Sequence, residues 1–263
     1  MTACHPLTCG EVQRSTLRNN VTDSLTLRYQ RFCIFSGVAF AVLFFFALYP
    51  VAGFIPPPSP MLSGEQLIDL YRDRFAWVKL AMPIGIVAAG FSIPWNALIA
   101  AHIARIELRH SALPMLAITS FGAGIVNTVL FFLPFIFWSA GYFRIDRNPE
   151  LVLLISDLSW LEVVMVVTPA CIQCVSIALA GFMDRDQNPV FPRWSCFAVL
   201  WVGVLLLPGI MGIFFFQGPF AFNGLIVFWL VAAAFAAEIG VLAFVMYRHR
   251  SPLFPTSKHR FLD

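Results

Sequence analysis

The sequence predicts an all-α membrane protein, a polytopic bundle of six transmembrane helices with a short interfacial helix in the first outer loop. Of the 263 residues, 59% are hydrophobic and 12% are charged, whereas soluble domains are about half apolar and about a quarter charged. The mean hydropathy of the chain is +0.80. A third observation is a series of apolar runs of roughly 20 residues, the length of helix that crosses about 30 Å of hydrocarbon.

Each apolar run is expected to be helical, because backbone amides in lipid have no water to bond. The predicted spans are about 31–53, 77–101, 112–138, 158–183, 195–216 and 224–247. We expect one membrane domain at 31–247, a disordered cytoplasmic tail at 1–30 and a basic cytoplasmic tail at 248–263. The first apolar run is of spanning length and has no small-residue cleavage site, so no cleavable signal peptide is expected.

The loop after the first span contains the predicted short helix. It begins with IPPPSP, which is extended because proline fixes φ and disfavours helix in the residue before it. Ser63 and Gln66 then have the spacing of a capping box, and apolar residues follow at helical spacing. We expect this helix to cap the bundle and brace the second span. The alternative is a lid over an outward cavity.

The distribution of Lys and Arg predicts the orientation, because cytoplasmic loops carry an excess of these residues. Twelve of them fall on the side that holds both termini, and five fall on the other side. We therefore expect both termini in the cytoplasm. Prolines also lie inside the spans, at positions 83, 94, 134, 169 and 208. The kinks they produce either enclose a cavity or reflect packing geometry alone.

Polar side chains within spans are the best pointers to function, because they are costly there. Glu238 lies about nine residues, and so about 13 Å, from the inner end of the sixth span. No Lys or Arg lies at its depth, so we expect a neutral acid or one that faces an aqueous pocket. The candidate ligand-binding residues are Glu238, Gln173, Ser120, Thr119, Ser92 and Asn127. Apart from Glu238, they equally suit hydrogen bonds that hold the helices together.

Small residues form a stripe on the face of the sixth span opposite Glu238. The stripe consists of Ala232, Ala233, Ala236, Ala237 and Gly240. Because small residues allow helices to approach closely, the stripe is a candidate surface for a membrane-protein partner.

A candidate outer-side acidic cluster consists of Asp146, Asp157 and Glu162. It could bind a cation, but no ligand spacing indicates a particular metal, and no metal site is predicted. Glu162 could instead pair with Arg144 or Arg147. Cys171 and Cys174 form a CxxC inside the fourth span. We expect them to be small buried residues, because the second cysteine pair of membrane thiol oxidoreductases is missing.

Sequence motifs of catalysis are missing from the chain. It contains no HExxH, no GxSxG, no Walker motif and no spaced histidine set for iron or haem. No cofactor is therefore predicted. The net charge of +3 is small and gives no indication of nucleic-acid binding. The expected surroundings are a lipid bilayer and, inside the bundle, a hydrophobic small molecule.

Three segments, FIPPPSPMLSGEQLIDLYRD, DRDQNPVFPRW and QGPFAFNGLIVFW, resemble the recurring loops of an uncharacterised family of small polytopic bacterial integral membrane proteins. The likeness spans nearly the whole chain from the first apolar run onward. It implies a location in the bacterial inner membrane. The family has no established function, so the resemblance assigns no functional residues.

Three functions remain open on the sequence. The first is binding or transport of a hydrophobic small molecule in a kinked-helix bundle, and it is the one that we expect. The second is a membrane-embedded enzyme on a lipid-like or isoprenoid substrate, with a carboxylic acid as general acid or base. The third is an accessory subunit of a larger membrane complex. A pocket that reaches Glu238 favours the first two, and two acids in one pocket favour the enzyme.

Overall fold

The predicted spans are helical in the computed structural model of the protein, which describes residues 9–144 and 147–249, with side chains from residue 25 onward. Within these ranges the chain forms α-helices with short 3₁₀ and π-helical segments, and no strands. The α-helices are α1 (Cys9–Phe46), α2 (Gly64–Tyr71), α3 (Phe75–Gly90), α4 (Ser92–Glu107), α5 (Met115–Tyr142), α6 (Pro149–Met165), α7 (Thr168–Met183), α8 (Arg193–Leu206) and α9 (Val231–Arg248).

Six helical segments in the described part of the chain are long and apolar enough to cross a membrane, which confirms the predicted bundle. In chain order, spans one to six are Leu25–Val51, Gly64–Glu107, Met115–Tyr142, Pro149–Met183, Arg193–Phe214 and Leu225–Arg248. Spans two and four each contain two consecutive long α-helices, α3 with α4 and α6 with α7.

The starts of spans one and four differ from the prediction. Span four begins at Pro149 rather than near residue 158, because Asn148 accepts a hydrogen bond from the Glu150 N–H at 2.9 Å and Pro149 occupies the first turn. Helix α1 begins at Cys9, so the predicted disorder is wrong for residues 9–30. No proline interrupts the sequence there. Residues 1–8 and 250–263 of the two predicted tails lie outside the described residues.

The six spans close into a ring, in which each packs against the next and the sixth packs against the first. Helix α5 contacts α3, α4, α6 and α7, and so joins spans two, three and four. Helix α4 also contacts α7, so spans two and four meet across the ring. Helix α2 lies at one end of the bundle, called the α2 end, and Arg105 lies at the other, called the Arg105 end.

Three of the five prolines inside the predicted spans coincide with interruptions of a helix. The interruptions lie at Phe91 before Pro94, at Val166 and Val167 before Pro169, and at Leu207 before Pro208. A proline clashes with the carbonyl group four residues earlier, so each break falls just before its proline. Pro83 and Pro134, in contrast, lie inside continuous helices.

The predicted short helix is present as α2, and its capping box is confirmed. The Ser63 hydroxyl accepts a hydrogen bond from the Gln66 N–H at 3.3 Å, and the Gln66 side chain accepts one from the Ser63 N–H at 2.9 Å. Leu67 and Tyr71 are buried, and α2 packs against α6. The helix therefore covers the bundle at this end.

Buried aromatic rings fill the α2 end beneath α2. This aromatic plug consists of Phe54, Tyr71, Trp138, Tyr142 and Trp160. The ring centroids of Phe54 and Trp138 are 4.9 Å apart, and those of Trp138 and Trp160 are 5.1 Å apart. Phe222, from the segment between spans five and six, is buried and stacks on Trp160. This segment therefore folds into the bundle at Phe222.

Charged side chains tie the helices together at the Arg105 end. Arg105 is 8% exposed and donates hydrogen bonds to His249 Nε2 at 3.2 Å and to Asp186 Oδ2 at 3.5 Å. Arg109 donates to the other oxygen of Asp186, and this hydrogen bond holds the pKa of Asp186 below its usual 3.8. These partners let α4 continue to Glu107, beyond the predicted end near residue 101.

Candidate functional site

The candidate site is a cavity of about 110 Å³ inside the ring, to which all six spans contribute. At roughly 10–15 Å³ for each water molecule, it holds several waters or a small polar group. One wall is polar and consists of Ser92, Asn96, Asn127, Thr128, Glu162, Gln173 and Glu238. Aromatic rings, those of Phe40, Phe44, Phe45, Trp95, Phe131, Phe228 and Phe235, form much of the remaining surface.

The polar wall contains a hydrogen-bonded chain that joins spans two, three and four. Gln173 Nε2 donates to Asn96 Oδ1 at 2.9 Å, and Asn96 Nδ2 donates to Thr128 Oγ1 at 3.3 Å and to the Gly124 carbonyl at 3.0 Å. Thr128 is in turn 2.7 Å from the Ser92 hydroxyl. The donors of Gln173 and Asn96 are thus engaged by protein, whereas Gln173 Oε1 accepts no hydrogen bond from the described residues.

Glu238 lies beside this chain, on the face of α9 that points into the bundle. It is 7% exposed, and its Oε1 accepts a hydrogen bond from the Cys174 thiol at 3.4 Å. No described residue donates to Oε2 or forms a salt bridge with the carboxyl group. One oxygen of the acid is therefore free for a ligand.

Glu162 lines the same cavity, next to the interruption of span four. The chain leaves the helical path at Val166 and Val167, both of which line the cavity, and resumes as α7. Irregular backbone inside a membrane occurs where it is buried in protein or lines a cavity. Glu162 lies one turn before the break, and its buried Oε2 has no hydrogen-bond partner among the described residues.

The aromatic wall is itself well packed. Phe40 and Phe44 of α1 both contact Phe131 of α5, with ring centroids 4.9 Å and 5.2 Å apart in edge-to-face geometry. Phe235 of α9 contacts both Phe40 and Phe131. Edge-to-face pairs add roughly 0.5–1.5 kcal/mol each beyond the burial of their surface. These rings thus form a rigid apolar part of the cavity surface.

Four of the six candidate ligand-binding residues line the cavity, namely Glu238, Gln173, Ser92 and Asn127. The other two do not. Ser120 is fully buried behind the wall, where its carbonyl accepts a hydrogen bond from Gln173 at 3.4 Å. Thr119 is exposed on the outside of the bundle, because α5 turns it about 100° away from Ser120.

The structure brings together only some residues of the predicted acidic cluster and of the small-residue stripe. Of the acidic cluster, Glu162 lines the cavity, Asp157 is half-buried on α6 and does not line it, and Asp146 lies outside the described residues. Four members of the small-residue stripe, Ala233, Ala236, Ala237 and Gly240, are exposed on the outer surface. Ala232 is half-buried and lines the cavity. The outer-side acidic cluster and the partner surface both stay candidates only.

Thr128 and Cys174 belong to the site, although neither is among the site residues predicted from the sequence. A spacing signal was present for Thr128: Ser92 and Asn96 are four residues apart on α4, as are Gly124 and Thr128 on α5, so each pair shares a helix face. Asn96 is likewise absent from the candidate ligand-binding residues predicted from the sequence. For Cys174, nothing in the sequence pairs its thiol with an acid 64 positions away.

The chemistry of the lining residues limits what the cavity holds. No Lys, Arg or His lines it, so it offers no countercharge to an anion. In the described ranges, no three His, Cys, Asp or Glu side chains gather as a metal site. What the cavity does offer is free acceptor oxygens on Glu238 and Gln173 and a large apolar surface.

Fold and site together define a polytopic six-span helical bundle with an amphipathic cavity at its centre. Compared with protein-family profiles, with curated proteins and with solved structures, the chain gives no match. The resemblance to a family of bacterial membrane proteins therefore stays a prediction.

Proposed function

We propose that the protein binds, or carries across the membrane, a hydrophobic small molecule with a polar end. The observation that carries the proposal is the position of Glu238, which is buried in the wall of a cavity with one oxygen free of protein partners. A buried acid without a salt bridge is costly inside a membrane. A ligand that donates a hydrogen bond to it would offset that cost.

Mass spectrometry of small molecules that copurify with the full-length protein tests the proposal. We expect one class of small molecule in the wild type, and about tenfold less of it in Glu238→Gln, since a hydrogen bond to a charged group contributes about 1.5–3 kcal/mol. Glu150→Gln is the matched control, because Glu150 is exposed at the start of α6. Recovery of nothing but bulk phospholipid from all three proteins would contradict the proposal.

A second candidate function is a membrane-embedded enzyme, and one observation favours it: Glu162 and Glu238 line the same cavity. Two carboxyl groups in one site are able to act as general acid and general base. The copurified compound, incubated with wild-type protein, would then be converted to a product, and Glu162→Gln would stop the conversion while still binding the compound. A compound that stays unchanged with the wild type excludes this function.

We also propose a location in the bacterial inner membrane with both termini in the cytoplasm. The excess of Lys and Arg on the side of the termini supports this orientation. An accessory-subunit role has less support, because Glu238 faces the interior of the bundle and not its surface.

A further inference from the structure

We propose that the ligand enters the cavity sideways from the bilayer, through a groove between spans one and six, and that it is a single-chain amphiphile whose polar end donates hydrogen bonds. This inference rests on the proposed function and adds the entry route and the class of ligand. Long-chain alcohols and amines have the required chemistry.

The groove is an apolar depression of about 600 Å³ on the surface of the bundle. Phe46 and Tyr49 line one side of it and Trp229 lines the other, and these side chains are exposed. Along a membrane span, such a surface faces acyl chains. The groove therefore suits an apolar chain that lies against the protein within the bilayer.

Cavity and groove adjoin each other. Phe45, Phe228 and Ala232, which we call the portal residues, line both of them. Phe45 is half-buried and contacts Phe44, whereas Phe228 contacts Trp160 and Trp229. No ring contact joins Phe45 to Phe228 among the described residues. Ala232 adds little bulk between them. The rings of Phe45 and Phe228 thus close the passage without contacting each other.

The backbone on both sides of the groove is irregular in the same way. Ala47–Val51 at the end of span one and Leu225–Leu230 at the start of span six are π-helical, and these are the π-helical segments of the described chain. Each contributes residues to the groove, Tyr49 and Pro50 from the first, Phe228 and Trp229 from the second. Such segments are rare and occur often at functional sites. Here the two π-helical segments position the side chains on the two sides of the groove.

The polar end of the ligand is defined by what the cavity leaves unpaired. The free groups at its centre are acceptors, Glu238 Oε2 and Gln173 Oε1, and no cationic side chain lines the cavity. An anionic head would meet two acids, Glu162 and Glu238, without a countercharge. A hydroxyl or an amine is therefore accepted, and a carboxylate or a phosphate is rejected.

Photolabelling tests both parts of the proposal. The full-length protein is reconstituted in phosphatidylcholine vesicles with a long-chain alcohol that carries a photoactivatable diazirine near its hydroxyl group, or with the corresponding carboxylic acid. We expect the alcohol to label peptides that contain Asn96 and Gln173, and the acid to label them about tenfold less. Equal labelling by the two probes overturns the ligand class.

Ala232→Trp tests the route, because an indole at this position fills the passage. We expect labelling of the cavity peptides to be largely lost, while labelling of the groove around Trp229 persists. The matched control is Ala233→Trp, since Ala233 is exposed. Full labelling of the cavity in Ala232→Trp overturns the lateral route and leaves the proposed function standing. An unlabelled cavity in the wild type overturns the proposed function as well.

Phe45→Ala is a second variant that adds no bulk to the bundle. It widens the passage, so the alcohol should label the cavity peptides several-fold faster than in the wild type. An unchanged rate in a protein that melts normally would count against the portal even if Ala232→Trp did not fold.

Discussion

Gly124 lies where three helices meet, and the absence of a side chain there keeps the polar wall intact. A Cβ atom at this position would lie 2.6 Å from Asn96 Oδ1 and 2.8 Å from Gln173 Nε2. These are the two atoms that form the hydrogen bond between α4 and α7. The same glycine supplies the carbonyl that accepts from Asn96. A single methyl group would therefore disturb three helices at once.

Gly124→Ala is expected to lower the free energy of unfolding by about 1–3 kcal/mol, the usual cost of overpacking. Thermal unfolding in detergent measures the effect. Gly122→Ala is the control on the same helix, because a Cβ atom there meets no atom within 4 Å, and alanine is the better helix former. Equal melting temperatures for the two variants would contradict the role of Gly124.

His249 is expected to make stability depend on pH. Burial lowers the pKa of His249 below 6.5, and the Arg105 guanidinium lowers it further, while the carboxylates of Asp184 and Asp186 oppose this. His102 packs against the same ring. The folded state resists protonation of His249, whereas the unfolded state does not. The contribution of His249 to the free energy of unfolding is therefore fully present above about pH 6.5 and is lost as the pH drops below that value.

Melting temperatures between pH 7.5 and pH 5.5, taken as roughly one pH unit on either side of the ordinary histidine pKa, measure this decrease. Substitution His249→Gln should make the decrease smaller, since glutamine does not titrate and keeps an acceptor for Arg105. His110→Gln is the control, because His110 is exposed. An identical decrease in all three proteins would exclude His249 as a source.

At the scale of elements, the start of α5 depends on a side chain from α4. Glu107 is 5% exposed, and its two carboxyl oxygens accept hydrogen bonds from the Leu116 and Ala117 N–H groups at 3.0 Å and 3.1 Å. The first N–H groups of a helix have no partner within the helix, and a negative charge near them is favourable. Glu107 thus joins the end of span two to the start of span three.

Glu107→Gln should destabilise the protein by about 1–2 kcal/mol, because the amide keeps one acceptor oxygen and loses the charge. Amide hydrogen exchange at residues 116 and 117 should become faster, while exchange in α7 should change little. Glu150→Gln, at an exposed position in the first turn of α6, serves as the control. Unchanged exchange at residues 116 and 117 would show that Glu107 is not needed there.

Hydropathy was enough to predict the six spans, because the length of an apolar run is a local property of the sequence. The interruptions of the helices within the spans were not predictable from hydropathy. Pro134 and Pro169 are the same residue type in similar surroundings, yet α5 is continuous and span four is interrupted. Whether a proline kinks or breaks a helix depends on neighbouring helices that satisfy the freed backbone groups.

The site likewise combines features that a local sequence pattern predicts with features that depend on how the helices pack. The cost of polar side chains in lipid made Glu238 and Gln173 recognisable in the sequence, and both line the cavity. Glu162 was assigned to an outer acidic cluster, because the predicted span four began near residue 158 and placed Glu162 one turn from its outer end. Span four begins at Pro149 instead, so Glu162 lies deeper and lines the cavity. The Cys174–Glu238 contact follows from how spans four and six pack.

At the scale of the whole molecule, six crossings of the membrane place the two ends of the bundle on opposite sides. The orientation that we propose puts the α2 end outside. Ser59 at that end and His110 at the other are both exposed. They are therefore suitable positions for reporter thiols.

We expect a membrane-impermeant maleimide to label Ser59→Cys in intact bacterial cells, and to label His110→Cys only after the cells are opened. Both variants would carry Cys4→Ser and Cys9→Ser to remove thiols in the N-terminal segment. The cysteines of the spans, Cys33, Cys171, Cys174 and Cys196, are buried or half-buried. The reverse labelling pattern would reverse the proposed orientation.

The aromatic plug at the α2 end has a consequence for the cell. A polar cavity in the middle of a membrane is a hazard, because a water-filled path from it to the surface would leak protons and discharge the membrane potential. The five buried rings of the plug place a layer of packed aromatic side chains at that end of the bundle. At that end, the cavity is thus electrically insulated from the solution. Protons would therefore not leak through this end of the bundle. Many copies of the protein would then lie in one membrane without discharging the membrane potential at that end.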